Sequence, residues 1–263
     1  MNNGGKYYRT YVLFILTLVY MINFIDRQII GILSPAIKAD MGFTDVQLGW
    51  LKGLPFAIFY CIMGIPLAWM ADRNNRKRLV VACLTIWSAF TAFTGLAGSF
   101  AHMLIARIGV GIGEAGGVPP SHSILSDLYP KEKRASALGI FSLGVPLGLG
   151  FSFIAAGQLI ARVGWRGTLV VLGICGIALA LLMLFTIKEP KRGQLDKVEV
   201  KPIGLMDSAK FLSTNSTWLA ICAGFTFCTF AGYATSTWFL DYLARFDPEY
   251  APGGTKFGGL MIQ

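Results

Sequence analysis

Seven apolar stretches dominate this sequence, and each is long enough to cross a lipid bilayer as an α-helix. A transmembrane helix needs about 20 consecutive, mainly apolar residues. The chain is 54% hydrophobic and only 14% charged, whereas soluble domains carry about 25% charged residues. The sequence therefore predicts an all-α, polytopic transmembrane helical bundle with helices at 10–35, 48–70, 79–97, 103–125, 135–160, 168–187 and 218–243.

The apolar stretches fall into two unequal groups. The longest polar interruption follows the sixth stretch and contains Pro190 and Pro202. Within it, residues 203–212 are weakly amphipathic and fit either a helix on the membrane surface or a solvated loop. A last apolar stretch runs from Phe257 to Gln263, and we expect it to begin an eighth, truncated helix. The predicted organisation is an N-terminal six-helix bundle, a cytoplasmic linker and the start of a C-terminal bundle, at 1–187, 188–215 and 216–263 respectively.

Lysine and arginine are distributed unevenly between alternate loops. Cytoplasmic loops of membrane proteins are enriched in these residues, and most of the 23 in this chain fall in the loops that alternate with the N-terminus. We therefore predict an integral protein of the cytoplasmic (inner) membrane with its N-terminus inside. The formal net charge of +9 reflects these loops and does not indicate nucleic acid binding.

Five ionisable residues fall inside predicted membrane helices: Asp26, Arg27, Lys52, Arg107 and Glu114. Charges are costly in lipid, so such residues usually face a protein interior or a watery cavity. We predict that Asp26 pairs with Arg107 and that Glu114 binds and releases protons near neutral pH. The alternative is a fixed ion-pair network that only holds helices together. Arg27 and Lys52 fit either a binding site or long side chains that extend to the interface.

The fourth apolar stretch contains the glycine pattern G-x-G-x-x-G at Gly111, Gly113 and Gly116. Small residues also recur every four positions there, at Gly109, Gly113 and Gly117. In a soluble strand–turn–helix unit the first pattern indicates a dinucleotide site, but inside a membrane helix it favours close helix packing. We therefore expect no nucleotide cofactor. Pro119 and Pro120 predict a break in the same helix, which a kink or gate could use.

Signs of enzyme or metal chemistry are weak in this sequence. The five cysteines lie inside apolar stretches, and no CxxC pair or Cys–His metal spacing is found. A nucleophile and a base could be sought among residues on one predicted helix, namely Ser121, His122, Ser123 and Asp127. Adjacent residues of a helix project in different directions. We therefore predict a protein that is not an enzyme, with no metal and no cofactor.

The loop after the second apolar stretch combines one acid with several bases. Asp72 stands at the expected helix end, and four basic residues follow within six positions. A plain cytoplasmic loop explains the bases alone. The added acid predicts an ion-pair latch with the neighbouring loop at 127–134. The predicted cytoplasmic gate comprises Asp72, Arg73, Arg76, Lys77, Asp127 and Arg134.

These motifs resemble the major facilitator superfamily, and within it the spinster-like branch of lipid transporters. The superfamily loop G-x-x-x-D-R-x-G-R-K is matched at Asp72, Arg73, Arg76 and Lys77. Ala68 and Asn75 replace its glycines, and Asn75 fits the spinster-like form D-R-x-N-R-K. Further similarity lies in residues 23–27, 107–115, 127–134, 144–150 and 224–226, and in Trp238.

The resemblance implies two six-helix halves with a substrate cleft between them and transport by alternating access. It also implies a coupling and substrate network formed by Asp26, Arg27, Arg107 and Glu114. Gly144, Pro146 and Gly148 resemble a helix bend that is common in exporters, although any glycine-rich packed helix has a similar pattern.

We therefore expect a secondary active transporter, proton-coupled and of the antiporter type, for lysophospholipids or sphingoid-type amphipathic lipids. The alternative is an exporter of a drug or a small organic anion. The expected partners are this substrate, protons and membrane lipids, and we expect the full-length protein to be monomeric. Since the resemblance implies twelve helices, we expect no transport by these 263 residues alone.

Overall fold

The structure is a computed structural model that describes residues 5–195 and 204–246. This part of the chain contains α-helices and no strand, which confirms the predicted all-α class. The chain divides into two compact units, Met1–Pro202 and Ile203–Gln263. The first unit holds α1 Lys6–Met41, α2 Asp45–Lys52, α3 Leu54–Arg73, α4 Arg76–Gly95, α5 Phe100–Glu114, α6 Val118–Leu128, α7 Lys131–Ser142 and α8 Gly144–Thr186. Helix α8 consists of two helical segments that meet at a kink at Gly164, where φ is 67° and ψ is 178°.

Short capped turns separate successive helices. Thr44 and Gln47 form a capping box at the start of α2, with the Gln47 Oε1 atom 2.9 Å from the Thr44 backbone nitrogen. The side chains of Asn75 and Ser99 accept backbone N–H groups at the starts of α4 and α5. Gly42 ends α1 in the left-handed conformation, with φ 66°. These caps satisfy helix-end groups that would otherwise lack partners.

Five segments of the described chain are long and apolar enough to cross a membrane: Lys6–Met41, Asp45–Arg73, Arg76–Gly95, Lys131–Ile154 and Gly157–Thr186. The fourth predicted span is divided into α5 and α6, which have 15 and 11 residues, so neither half spans a bilayer alone. The division lies at residues 115–117, just before Pro119 and Pro120. Both prolines occupy the first turn of α6, where a missing backbone N–H costs little.

The predicted bend at Gly144, Pro146 and Gly148 needs a correction of position. The break falls at Leu143, between α7 and α8, and the three residues then lie in the first turns of α8. A Cβ atom on Gly148 would lie 2.6 Å from the Met21 carbonyl oxygen. This glycine therefore allows α8 to approach α1 closely.

The glycine pattern of α5 also serves helix packing. A Cβ atom on Gly113 would lie 2.7 Å from the Trp87 backbone nitrogen of α4, so any larger residue would push the helices apart. Trp87 itself is fully buried. Helix α4 packs against both α5 and α8, and α8 packs against α1. The interior of the first unit is thus built around α4.

Alternate turns meet at the same end of the first unit, as the predicted membrane topology requires. At one end, the Tyr8 hydroxyl accepts the Lys188 backbone N–H at 2.7 Å. At the other end, Arg166 donates to the Ala97 carbonyl oxygen at 2.6 Å and to Asp40 at 2.9 Å. We call the first of these the basic end and define it by residues 6–9, 73–78, 127–134 and 188–195.

The second unit contains α9 Leu205–Thr214 and α10 Ser216–Phe246. The seventh predicted span falls within α10. The weakly amphipathic stretch of the predicted linker overlaps α9, whose Met206 and Phe211 side chains are exposed. The predicted eighth helix, from Phe257 onward, lies outside the described residues.

Candidate functional site

A buried ion pair joins two helices in the interior of the first unit. The Arg27 Nε atom of α1 donates to the Glu114 Oε2 atom of α5 at 2.7 Å. The Glu114 side chain is fully buried, whereas 19% of the Arg27 side chain is exposed. Glu114 is the last residue of α5, so the break before α6 lies directly beside the ion pair. The site therefore combines a buried charge with a local interruption of the helix.

Three aromatic rings surround the Arg27 guanidinium. Its central carbon lies 4.6 Å from the Tyr60 ring centroid, 5.2 Å from that of Phe24 and 5.4 Å from that of Phe56. Such contacts stabilise a cation that has left bulk water. The sequence patterns did not predict this aromatic cage. Its one sequence signal is the pair Phe56 and Tyr60, whose spacing of four places both on one face of α3.

Asp26 and Arg107 lie near this ion pair but do not form the direct pair that we predicted. Both are almost completely buried, at 2% and 3% exposure. Arg107 interacts electrostatically with Asp26 and with Glu114, yet its Nε and Nη2 atoms have no hydrogen-bond partner among the described residues. The direct ion pair in this region is formed by Arg27 instead. Which arginine pairs depends on helix rotation, which sequence spacing does not determine.

Lys52 is not brought into this buried cluster. It is exposed in the last turn of α2, and its charge acts on Asp45. Its position agrees with the alternative of a long side chain that extends to the interface. The buried cluster of the first unit therefore consists of Asp26, Arg27, Arg107 and Glu114.

A second polar site lies at the basic end, around Arg76. This arginine is only 1% exposed and forms an ion pair with Asp127, which brings together the two loops of the predicted latch. Its Nε atom also lies 2.7 Å from Glu189 Oε1, and its Nη1 and Nη2 atoms donate to Ser123 and Pro190. All three guanidinium nitrogens therefore have partners.

Residues 188–195, which the sequence analysis assigned to the linker, supply a third component of the latch. Glu189 accepts the Lys77 backbone N–H at 2.8 Å. Asp127 accepts the Gly193 backbone N–H at 2.9 Å, and its own carbonyl oxygen accepts Gln194. Arg192 donates to the carbonyl oxygens of residues 71 and 74. One sequence feature indicates this contact, namely the acid Glu189 just after the sixth apolar stretch. Its position alone did not predict a contact with Arg76.

The other predicted gate residues surround this centre. Lys77 Nζ donates to the Leu184 carbonyl oxygen at 2.7 Å, and Arg134 donates to that of Ser126 at 2.8 Å. The Arg73 guanidinium lies 4.2 Å from the Trp69 ring centroid. Asp72 is exposed at the end of α3. The tight contacts of the latch thus depend on Arg76, Asp127 and Glu189 rather than on Asp72.

The residues considered for enzyme chemistry have structural contacts. The Ser121 hydroxyl donates to the Gly117 carbonyl oxygen at 2.7 Å. Ser123 and Asp127 contact Arg76, and the His122 ring packs edge-on against Phe141. Within the described chain, no group of three or more His, Cys, Asp or Glu residues could hold a metal ion.

Fold and site together define a class of protein. Apolar helices long enough to cross a membrane enclose a cluster of buried charges, and a salt-bridged latch joins the loops at one end. Intramembrane charges of this kind mark substrate and ion pathways. These features define a polytopic membrane protein of the transporter type.

The family model of the Major Facilitator Superfamily matches residues 16–262. This chain belongs to the Major Facilitator Superfamily. It is 30% identical to an MFS-type efflux pump of Mycolicibacterium smegmatis, over 88% of this chain and 53% of that protein. It is 31% identical to the probable sulfoacetate transporter SauU of Cupriavidus necator, over 92% of this chain and 57% of that protein.

A solved structure also matches the fold. It is the inward-facing, unoccupied form of a bacterial homologue of the human lysosomal transporter Spinster. The match has a TM-score of 0.77 and 37% identity, and it covers 92% of this chain and 57% of that one. The chain thus spans about half the length of the proteins that it matches. The spinster-like resemblance and the membrane-bundle fold are both confirmed.

Proposed function

We propose that the protein is a secondary active transporter that works by alternating access and couples transport to protons. Its proposed substrates are lysophospholipids or sphingoid-type amphipathic lipids. The proposal is supported by the spinster-like resemblance and by the buried charges of the first unit. We further propose that it acts as a monomer in the cytoplasmic membrane, with the basic end facing the cytoplasm, because that end holds most of the Lys and Arg residues.

The observation that carries this proposal is the buried Arg27–Glu114 ion pair. Removing one charge of a buried pair leaves the other without compensation, which is strongly unfavourable. Protonation of Glu114 would therefore free Arg27 to bind another anion, such as the phosphate of a lipid headgroup. Loss of the proton would restore the pair and release the anion. The Glu114 carboxylate and the substrate anion then compete for one guanidinium, so proton binding favours substrate binding, which is a direct form of coupling.

Asp26 and Arg107 extend this scheme beyond a single pair. Both are buried beside Glu114 and carry polar atoms without a hydrogen-bond partner in the described part of the chain. A buried charge that is not fully paired is costly. These two groups would respond when Glu114 changes its protonation state, because Arg107 interacts electrostatically with both carboxylates.

The test is uptake into liposomes driven by a pH gradient, with a panel of lysophospholipids. It uses this chain followed by the remaining helices of the second half that the family implies. Glu114→Gln preserves shape and removes the proton site, so we expect loss of gradient-driven uptake. Glu132→Gln, at an exposed position of α7, is the matched control and should retain uptake. Uptake by Glu114→Gln that keeps its dependence on the gradient would refute the coupling role.

A small organic anion is the second candidate substrate. Arg107 favours it, since its Nε and Nη2 atoms are free to donate among the described residues and a guanidinium binds a carboxylate or sulfonate through two parallel hydrogen bonds. Similarity to the probable sulfoacetate transporter supports the same alternative. Sulfoacetate is therefore the second arm of the liposome assay. Uptake of sulfoacetate without lysophospholipid uptake would replace the lipid proposal.

A further inference from the structure

A small cavity lies beside the buried ion pair, between α1, α4, α6 and α7. Its volume is about 10 Å³, close to the space that one water molecule occupies when enclosed by protein. Most of its wall is apolar, including Val19, Val118 and Phe141. Four side chains with polar atoms also line it: Tyr20, Asn23, Trp87 and Ser121.

Two of these side chains, Asn23 and Trp87, have a buried polar atom without a hydrogen-bond partner among the described residues. Asn23 is 2% exposed and Trp87 is fully buried. The Asn23 Oδ1 acceptor and the Trp87 Nε1 donor both lack a hydrogen-bond partner in the part of the chain that the structure describes. Ser121 donates its proton to the Gly117 carbonyl oxygen, which leaves its own oxygen able to accept. Buried polar atoms without partners are rare because each carries a substantial desolvation cost.

The three groups match the bonding capacity of a single water molecule. Water can accept the Trp87 N–H and donate one proton to Asn23 Oδ1 and the other to Ser121 Oγ. Enclosed waters typically make about three such bonds. A cavity of the right size and a complementary set of one donor and two acceptors therefore coincide at one place.

We propose that this cavity binds one ordered water molecule, which links Trp87 of α4 to Asn23 of α1 and fixes the Asn23 amide beside Glu114. Asn23 and Glu114 are within interaction range of each other. The charged groups that act on Glu114 from the surrounding helices are Asp26, Arg27 and Arg107. Trp87 is thus a positioning residue that acts on Glu114 through water and Asn23. This role in coupling rests on the proposed function, whereas the water site itself does not.

Gly117 offers a way to remove the water without disturbing the fold. It lines the cavity and has ordinary helical backbone angles, φ −84° and ψ −52°. A Cβ atom built there would meet its nearest neighbours at 3.4 to 3.7 Å, including the Trp87 ring. Gly117→Ala therefore places a methyl group at the cavity wall without a clash. Gly139→Ala is the matched control, since a Cβ atom at Gly139 meets nothing within 4 Å.

The direct test is solid-state NMR of the 263-residue chain in lipid bilayers with nitrogen-15-labelled tryptophan. We expect magnetisation to pass from water to the Trp87 indole N–H, with Trp87→Phe identifying the signal. Gly117→Ala should abolish this transfer, and Gly139→Ala should leave it unchanged. Trp165 is an internal reference, because its indole donates to Asp40. If Trp87→Phe does not fold, the signal that changes in Gly117→Ala identifies the indole. An indole at position 87 without water contact would overturn the proposal.

The coupling role is tested separately in the liposome assay. Gly117→Ala should shift the pH of half-maximal uptake by about half a unit or more, which corresponds to one hydrogen bond. A water contact together with no pH-driven uptake by the wild type would disprove the proposed function and leave the water site standing. A displaced water with an unchanged pH profile would overturn the positioning role of Trp87.

Discussion

At the residue scale, the arrangement of the buried cluster depends on which side chain pairs with Glu114. The sequence identified the ionisable residues of the buried cluster, because charges within apolar stretches are conspicuous. It did not predict that Arg27 pairs with Glu114, since the pair expected from the sequence was Asp26 with Arg107. Positions along a helix give depth but not rotation about the helix axis, and a change of one residue turns a side chain by about 100°. The aromatic cage of Arg27 was not predicted for the same reason, since it combines side chains from two helices.

The Arg27–Glu114 pair predicts a specific pattern of stabilities. Glu114→Ala should lower the free energy of unfolding by about 3 kcal/mol, because it leaves a largely buried arginine without its counter-ion. Adding Arg27→Gln should recover part of this loss, since the uncompensated charge is then gone. Unfolding of each variant in detergent micelles, followed by circular dichroism, measures both effects. Arg27→Gln alone completes the cycle, and a loss in the double variant equal to the sum of the two single losses would mean that Arg27 and Glu114 do not interact.

At the scale of helices and loops, the sequence predicted continuous features better than interruptions. The six predicted spans of the first unit all overlap helices because length and hydropathy determine them, although the fourth is divided between α5 and α6 and the last two meet within α8 at Gly164. The breaks at residues 115–117 and at Leu143 were predicted only near their true places, since glycine and proline indicate where a break is tolerated and packing decides where it occurs. The docking of residues 188–195 was missed because a polar segment after a membrane helix is typical of a linker.

The latch predicts that Arg76 holds residues 188–195 in place. Arg76→Lys keeps the charge but cannot reach three separate partners, because a lysine lacks the planar fork of a guanidinium. We expect residues 188–195 to undock, and trypsin cleavage after Lys191 and Arg192 to become at least about tenfold faster, since two or more charge-assisted hydrogen bonds are lost. Mass spectrometry of timed digests in detergent measures this rate.

Arg78→Lys provides the control for this prediction. Arg78 follows Arg76 on the same helix, and its side chain is exposed. The backbone N–H that it donates to Asn75 is unaffected by the substitution. Cleavage after Lys191 and Arg192 should therefore proceed at the wild-type rate. Equal acceleration in both variants would show that Arg76 has no special role in holding the segment.

At the scale of the whole molecule, the first of the two compact units contains α1 to α8. Its buried charges, its latch and its cavity all lie inside this unit, so the proposed proton binding at Glu114 requires no second half. Transport differs, because alternating access in this family moves two halves about a central site. In the proposed mechanism, proton binding and substrate movement are therefore separable, and each can be measured without the other.

This separation gives the last prediction. In liposomes, the 263-residue chain should show a protonated-carboxyl infrared band that titrates with pH and disappears in Glu114→Gln. The same liposomes should take up neither lysophospholipid nor sulfoacetate under a pH gradient, because one six-helix unit forms only one wall of the cleft. Gradient-driven uptake by this chain that Glu114→Gln abolishes would contradict the prediction. It would mean that the single unit, alone or paired with a second copy, encloses a complete pathway.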